Sequence, residues 1–278
     1  MQLFLITALT MTAFAANSVL NRIAVADYGM DPMDFAALRV VAGAVMLWAL
    51  VLPRRAPRPA LWTAKRIAGA AALALYMFGF SWAYISLGAG PGALILFGVL
   101  QVIVFGWAVV ERQPIPPLRW VGAAIALVGL FILLWPTGAA RLPVGGTLAM
   151  TLAAIGWAAY TLLGRAEADA LGATASNFLL CVPITGLAML ITGPGMMSLP
   201  GVITALIAGA ITSGLGYALW YRVLPSLPTT IAGIAQLSVP VIAVVAGAAL
   251  LAEPISTRML LSGTLVLGGI GVSVLKRR

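Results

Sequence analysis

Acid–base, nucleophilic and metal chemistry all need residues that this sequence scarcely has. It contains no histidine, one cysteine (Cys181, inside an apolar run) and seven carboxylates. Asp27, Asp31, Asp34, Glu111, Glu167, Asp169 and Glu253 all fall at or near breaks between apolar stretches. No nucleophile–base pair, paired carboxylate or ligand cluster forms, so the chain reads as a non-enzyme with no cofactor and no metal. What remains can recognise a solute without altering it. Asn17, Gln101 and Gln236 supply neutral donors and acceptors inside apolar runs, while Tyr76, Phe80, Phe97, Trp157 and Tyr160 supply rings. These eight are the candidate substrate-binding set. Each has a competing reading, as a bridge between helices or as a ring facing lipid.

Arg39 cannot be neutralised. It is a candidate contact for a carboxylate, or a structural charge satisfied by Asp31, Asp34 or a helix C-terminus. Gly88, Gly90, Pro91, Gly98 and Pro240 loosen or remove backbone hydrogen bonds and are candidate hinges. Tight helix packing explains the same small residues equally well.

The elements that must position these residues follow from solvent. Of 278 residues, 62% are hydrophobic and 8% charged, against about 25% charged in a soluble domain. A mean hydropathy of +1.09 leaves too little polar surface to coat a water-soluble globule. Continuous apolar runs such as 37–52 and 121–135 are helical, since a barrel strand would alternate. The expected fold class is an all-α integral membrane protein. Ten transmembrane helices are placed near 3–24, 34–52, 67–87, 92–110, 119–135, 145–164, 175–192, 201–221, 228–251 and 258–275. The N-terminus lacks a basic region and a small-residue cleavage site, and reads as a retained first span.

The +9 charge is not a nucleic-acid surface, because the basic residues sit in short breaks without interleaved aromatics. With ten spans and a cytoplasmic N-terminus, twelve basic residues fall inside and four (Arg22, Arg39, Arg141, Arg258) outside. The positive-inside bias therefore places both termini in the cytoplasm.

Sliding the chain by 143 residues aligns 5–47 with 148–190 without a gap, with eleven of 43 positions identical. About four matches would follow from composition alone. Asn17 falls on Tyr160, Phe14 on Trp157, Phe35 on Phe178 and Gly43 on Gly186. The halves, 1–143 and 144–278, then hold five spans each. Five is odd, so they cross the membrane in opposite senses, as in secondary transporters with a solute site between inverted repeats.

These features resemble the EamA family of the drug/metabolite transporter superfamily. The likeness rests on Phe35–Arg39 (FAALR), on the 86–101 stretch SLGAGPGALILFGVLQ, and on a Glu followed by Pro-Ile after spans four and nine. Gly-spaced fifth and tenth spans complete it. Span four departs by carrying Gln101 and no proline where span nine has Pro240. The resemblance implies a secondary transporter in the bacterial inner membrane, similar to exporters of aromatic and other neutral amino acids. Its partners would be a small-molecule solute and the bilayer, with a monomer sufficient. Because no carboxylate is expected mid-membrane, movement is expected without obligatory proton coupling. A proton-coupled antiporter, a channel and an intramembrane enzyme are the alternatives.

Overall fold

Short polar residues, prolines and glycines decide where each helix starts. The computed structural model describes residues 1–54, 61–112, 115–135, 142–164, 167–193, 195–223, 226–227 and 229–274. The expected inside charges Arg55, Arg58, Arg165, Lys276, Arg277 and Arg278, and Arg141 on the other side, lie outside these residues. Helix α1 spans Gln2–Asp27, its last five residues in a π-helical turn. It is followed by α2 (Pro32–Val51), α3 (Ala64–Ala83), α4 (Ala89–Val110) and α5 (Pro117–Leu134). The second half holds α6 (Val144–Gly164), α7 (Ala170–Thr192), α8 (Leu199–Val223), α9 (Thr229–Leu251) and α10 (Thr257–Val274). Every element among the described residues is helical, and eight of them, α1 to α8, are long and apolar enough to cross a membrane.

Several helices begin two to five residues before the apolar run that marks them in sequence, because their caps are polar. Asp31 accepts from the amides of Met33 and Asp34 with Pro32 at the first helical position, and so opens α2. Thr63 accepts from Arg66 to open α3, Asp169 from Gly172 to open α7, and Ser198 from Gly201 to open α8. Removing such a cap costs about 1 kcal/mol. The start of α4 is capped from a distance. The Glu253 carboxylate, beyond the end of α9, accepts from the Ala89 amide at 2.9 Å.

Helix α8 is not regular. Residues Ala208–Leu215 run as a π-helix between two α-helical segments. A π turn moves backbone carbonyls off the ordinary i→i+4 ladder and is frequent at functional positions. Here the Thr212 carbonyl accepts from Asn17 Nδ2 at 3.3 Å.

Helix pairing has a regular pattern. Helix α2 packs on α7, α4 on α9 and α5 on α10. Three further sets of contacts between the halves come in exchanged pairs: α3 on α6 and α8 on α1, α4 on α6 and α9 on α1, α2 on α8 and α7 on α3. Small residues allow the close crossings. A Cβ on Gly156 of α6 would lie 2.6 Å from the Tyr76 amide nitrogen of α3, and one on Gly269 of α10 would lie 2.5 Å from the Ala126 nitrogen of α5. Outward faces carry large apolar side chains such as Leu9, Val45, Phe131, Leu190 and Leu250. A surface of that kind is stable against lipid and not against water.

Trp62, Trp120 and Trp135 are exposed near helix ends, as suits rings at a membrane boundary. Trp48 differs. It is half-buried, and its indole N–H donates to the Ala175 carbonyl at 3.0 Å, tying α2 to α7.

Candidate functional site

Rings from both halves of the chain meet in one column along the bundle. From the α3 end, Tyr84 stands edge-on to Phe80 at 4.9 Å, Phe80 lies 5.2 Å from Tyr76, and Tyr76 lies 5.0 Å from Trp157 of α6. Trp157 in turn touches Tyr160 and Tyr217, each at 5.6 Å. Tyr217 of α8 contacts Phe14 of α1, Phe178 of α7 and Tyr221 at 5.6, 6.0 and 6.4 Å. Helices α3 and α8 run oppositely, so Tyr84 and Tyr221 mark the two ends of the column. Each ring pair contributes about 0.5–1.5 kcal/mol beyond its buried area.

The contacts also exchange between halves. Phe14 meets Tyr217 as Trp157 meets Tyr76, and Phe14 is the residue on which Trp157 falls in the sequence repeat.

Of the eight candidate residues, Tyr76, Phe80, Trp157 and Tyr160 stand in this column. Phe97 of α4 is half-buried and packs against its edge. Asn17 lies beside it in a buried polar chain. Its Oδ1 accepts from the Thr212 hydroxyl at 2.7 Å and the Ser213 hydroxyl at 3.3 Å, so α1 is bound to the π-helical turn of α8. Gln101 and Gln236 are half-buried on α4 and α9 and join no hydrogen bond among the described residues.

Tyr217, Tyr221 and Phe178 escaped the sequence reading. The signal was present in part, since Tyr217 and Tyr221 repeat the i, i+4 spacing of Tyr76 and Phe80.

Arg39 lies deeper than its sequence position suggests. With α2 opening at Pro32, it is seven residues in, or about 10 Å along the axis. It is 1% exposed. Its Nε donates to the Ser213 hydroxyl at 3.0 Å and its Nη2 to the Tyr76 hydroxyl at 3.2 Å. The guanidinium carbon stands 5.5 Å from the Tyr76 ring centre and 5.2 Å from that of Phe80. Nη1 is buried without a partner. All the groups touching the charge are neutral, and such a charge out of water costs several kcal/mol that they offset only in part.

The two aspartates weighed as its partners are engaged elsewhere. Asp31 caps α2. Asp34, read from sequence as a residue beside the loop, is fully buried in the first turn of α2 because the α7–α8 connection folds over it. Its Oδ2 accepts from the Gly195 amide at 3.0 Å, and its Oδ1 is an orphan.

Both ends of the column are tied shut by contacts between halves. At one end Arg22 pairs with Glu253 at 3.6 Å and donates to the Tyr84 carbonyl at 3.0 Å. At the other, Glu167 pairs with Arg66 at 2.6 Å and Lys65 at 2.8 Å, and Arg54 with Asp169 at 2.9 Å. The Arg66 hydrogen bond, joined by Lys65 and opposed by burial, holds the Glu167 carboxyl below its ordinary range. Among the candidate hinges, Gly88 precedes α4 against the Glu253 carboxylate and Gly90 packs on Val244 of α9. Pro91 falls in the first turn of α4, where no backbone bond is lost. Gly98 lies on Leu130, and Pro240 is buried inside α9. No group of three or more His, Cys, Asp or Glu residues that could hold a metal occurs among the described residues.

Known proteins carry the same architecture. The model of the EamA-like transporter family matches residues 144–275, which run from α6 into α10. The chain is 43% identical over 275 residues to the uncharacterized protein PA1977 of Pseudomonas aeruginosa, covering 98% of this chain and 94% of that one. It is 25% identical to the uncharacterized transporter YwfM of Bacillus subtilis, covering 89% of this chain and 86% of the relative. A solved crystal structure superposes with a TM-score of 0.71 at 19% identity, covering 97% of this chain and 98% of that one, so the two share a fold.

Proposed function

The chain belongs to the EamA-like transporter family, and on that premise we propose that it moves small organic solutes across a bacterial inner membrane by alternating access. The moving parts are two inverted five-helix halves, 1–143 and 144–278, that together make ten spans with both termini in the cytoplasm. The exchanged helix contacts and the exchanged Phe14–Tyr217 and Trp157–Tyr76 pairs support that duplication. The solute is a neutral amino acid with an aromatic or bulky apolar side chain, exported or equilibrated down its gradient.

The column of rings between the halves carries this reading. Admitting a solute means parting rings that now touch, at a cost of about 0.5–1.5 kcal/mol per pair. A solute that brings its own ring restores those contacts, and a small polar one does not. The ion pairs at the two ends are the gates, broken one set at a time. Counterflow of radiolabelled phenylalanine in proteoliposomes tests the reading. The wild type exchanges label with saturation, and Trp157→Ala, destabilised by the loss of its three ring contacts, loses most of the flux per folded molecule. Equal flux in wild type and Trp157→Ala places the path elsewhere.

Proton-coupled antiport has one observation in its favour, the buried Asp34 with its orphan Oδ1. We favour uncoupled movement because Asp34 stands in the first turn of α2, apart from the rings, where its bond to Gly195 fastens two connections at one end of the bundle. An imposed pH gradient should leave counterflow unchanged, and Asp34→Asn should keep exchange. Uphill accumulation driven by pH alone and abolished by Asp34→Asn would overturn the uncoupled reading.

A further inference from the structure

We propose that Arg39 is the specificity determinant of the transport path and that it binds the carboxylate of an aryl-bearing solute. The inference rests on the path assigned above and adds the group by which the solute is read.

Three observations lead to it. First, the guanidinium is a permanent charge taken wholly out of water, yet no carboxylate pairs with it. The two acids within reach along the chain are committed, Asp31 to the cap of α2 and Asp34 to Gly195. A structural arginine at such depth would be expected to hold a fixed acid partner. Second, its hydrogen bonds are incomplete in a directed way. Nε is held by Ser213, itself fixed by Asn17 of α1, so the plane of the guanidinium is set from behind. The far edge carries Nη2, which meets only a neutral phenol, and Nη1, which meets nothing. An arginine fork presents two parallel donors to one carboxylate. Here that edge is the one left underused.

Third, the surroundings fit the rest of such a solute. Phe80 and Tyr76 flank the charge, and Trp157 and Tyr217 continue the ring surface away from it. A carboxylate on the fork would complete the hydrogen bonds of Arg39, with the aryl group lodged between rings of the two halves. Ser213 and Gly209 of the π-helical turn press on α2 here, the glycine on the Arg39 carbonyl itself. Rearrangement of that turn is thereby coupled to occupancy of the fork.

The test uses the full chain in detergent and three probes of similar shape. Phenylalanine has both charged groups, 3-phenylpropionate lacks the amine, and phenethylamine lacks the carboxylate. Ligand-induced thermal stabilisation gives the apparent affinities. Phenylalanine and 3-phenylpropionate should bind about 30-fold or more tightly than phenethylamine. Arg39→Met should bring 3-phenylpropionate and phenethylamine to within a few-fold of each other. Arg39→Lys should restore part of the preference, because the charge returns without the fork.

Equal binding of phenethylamine and 3-phenylpropionate by the wild type overturns the proposal, and that comparison needs no variant to fold. A carboxylate preference surviving in Arg39→Met overturns it too, as does failure of either carboxylate to bind. Counterflow that persists in any of these cases leaves the transport reading standing, whereas absence of flux for every solute sinks that reading by itself.

Discussion

Nη2 of Arg39 donates to the hydroxyl of Tyr76 across 3.2 Å, so a charge on α2 and a ring on α3 hold each other in place beside Trp157 of the opposite half. Tyr76→Phe keeps the ring and deletes the acceptor, leaving both terminal nitrogens of Arg39 without a protein partner. We expect a loss of about 1–3 kcal/mol in stability, the cost of an orphaned buried donor, together with reduced flux. Unfolding temperature and counterflow measured on the same preparations check it. A variant unchanged in both would show that the bond carries nothing.

Gly43 and Gly186 occupy equivalent places in the sequence repeat but not in space. A Cβ on Gly43 would stand 2.5 Å from Cε1 of Phe178, a ring with no exposure that packs on Tyr217. A Cβ on Gly186 would meet nothing within 4 Å beyond the backbone of its own helix. Gly43→Ala should therefore destabilise by about 1–3 kcal/mol through overpacking. Gly186→Ala should be neutral or stabilise by up to about 1 kcal/mol through helix propensity. The pair of unfolding temperatures decides the matter, and equal shifts would contradict the packing described.

Glu167 makes one end of the ring column sensitive to acid. A carboxyl held below its ordinary range contributes stability that is complete above the unfolded value of about 4.3 and is lost as pH falls through the lower folded value. The Arg66 and Lys65 pairs should thus hold at neutral pH and release below about pH 4. The wild type should be more stable than Glu167→Gln by on the order of 1 kcal/mol at pH 7, with the gap closing under acid. A gap that is constant from pH 7 to pH 3 would mean that the pairs contribute nothing.

Orientation can be read with two cysteines. In a Cys181→Ala background, Trp62→Cys marks the start of α3 and Met196→Cys the α7–α8 connection, and both native residues are exposed. With both termini inside, a membrane-impermeant maleimide added to intact cells should label position 196 and spare position 62. The reverse labelling pattern would invert the topology.

The sequence by itself determined the solvent and the element type. With 62% hydrophobic residues in long unbroken runs, backbone groups have no water to bond with and must bond within helices. It determined the rings at i, i+4 on α3, because helical periodicity alone puts Tyr76 and Phe80 on one face. It also showed the spaced identities between 5–47 and 148–190, which are a property of residue type and spacing.

Only the tertiary structure decided which faces meet. Asn17 bonds to residues 195 and 196 positions away, and no local pattern announces that partner. The π-helical turn whose Thr212 carbonyl accepts from Asn17 lies where α8 crosses α1 and α2, although the sequence there reads as ordinary helix. Arg39 stood about one turn inside its expected span until the Asp31 cap set the start of α2 at Pro32 and placed it about two turns in. Tyr217 and Tyr221 carried the right spacing, yet their place in the column depends on how α8 is rotated against α6. Periodicity fixes which residues share a face. The rotation and register of that face against another helix are set by side-chain packing between segments far apart in the chain, and that is information no single stretch contains.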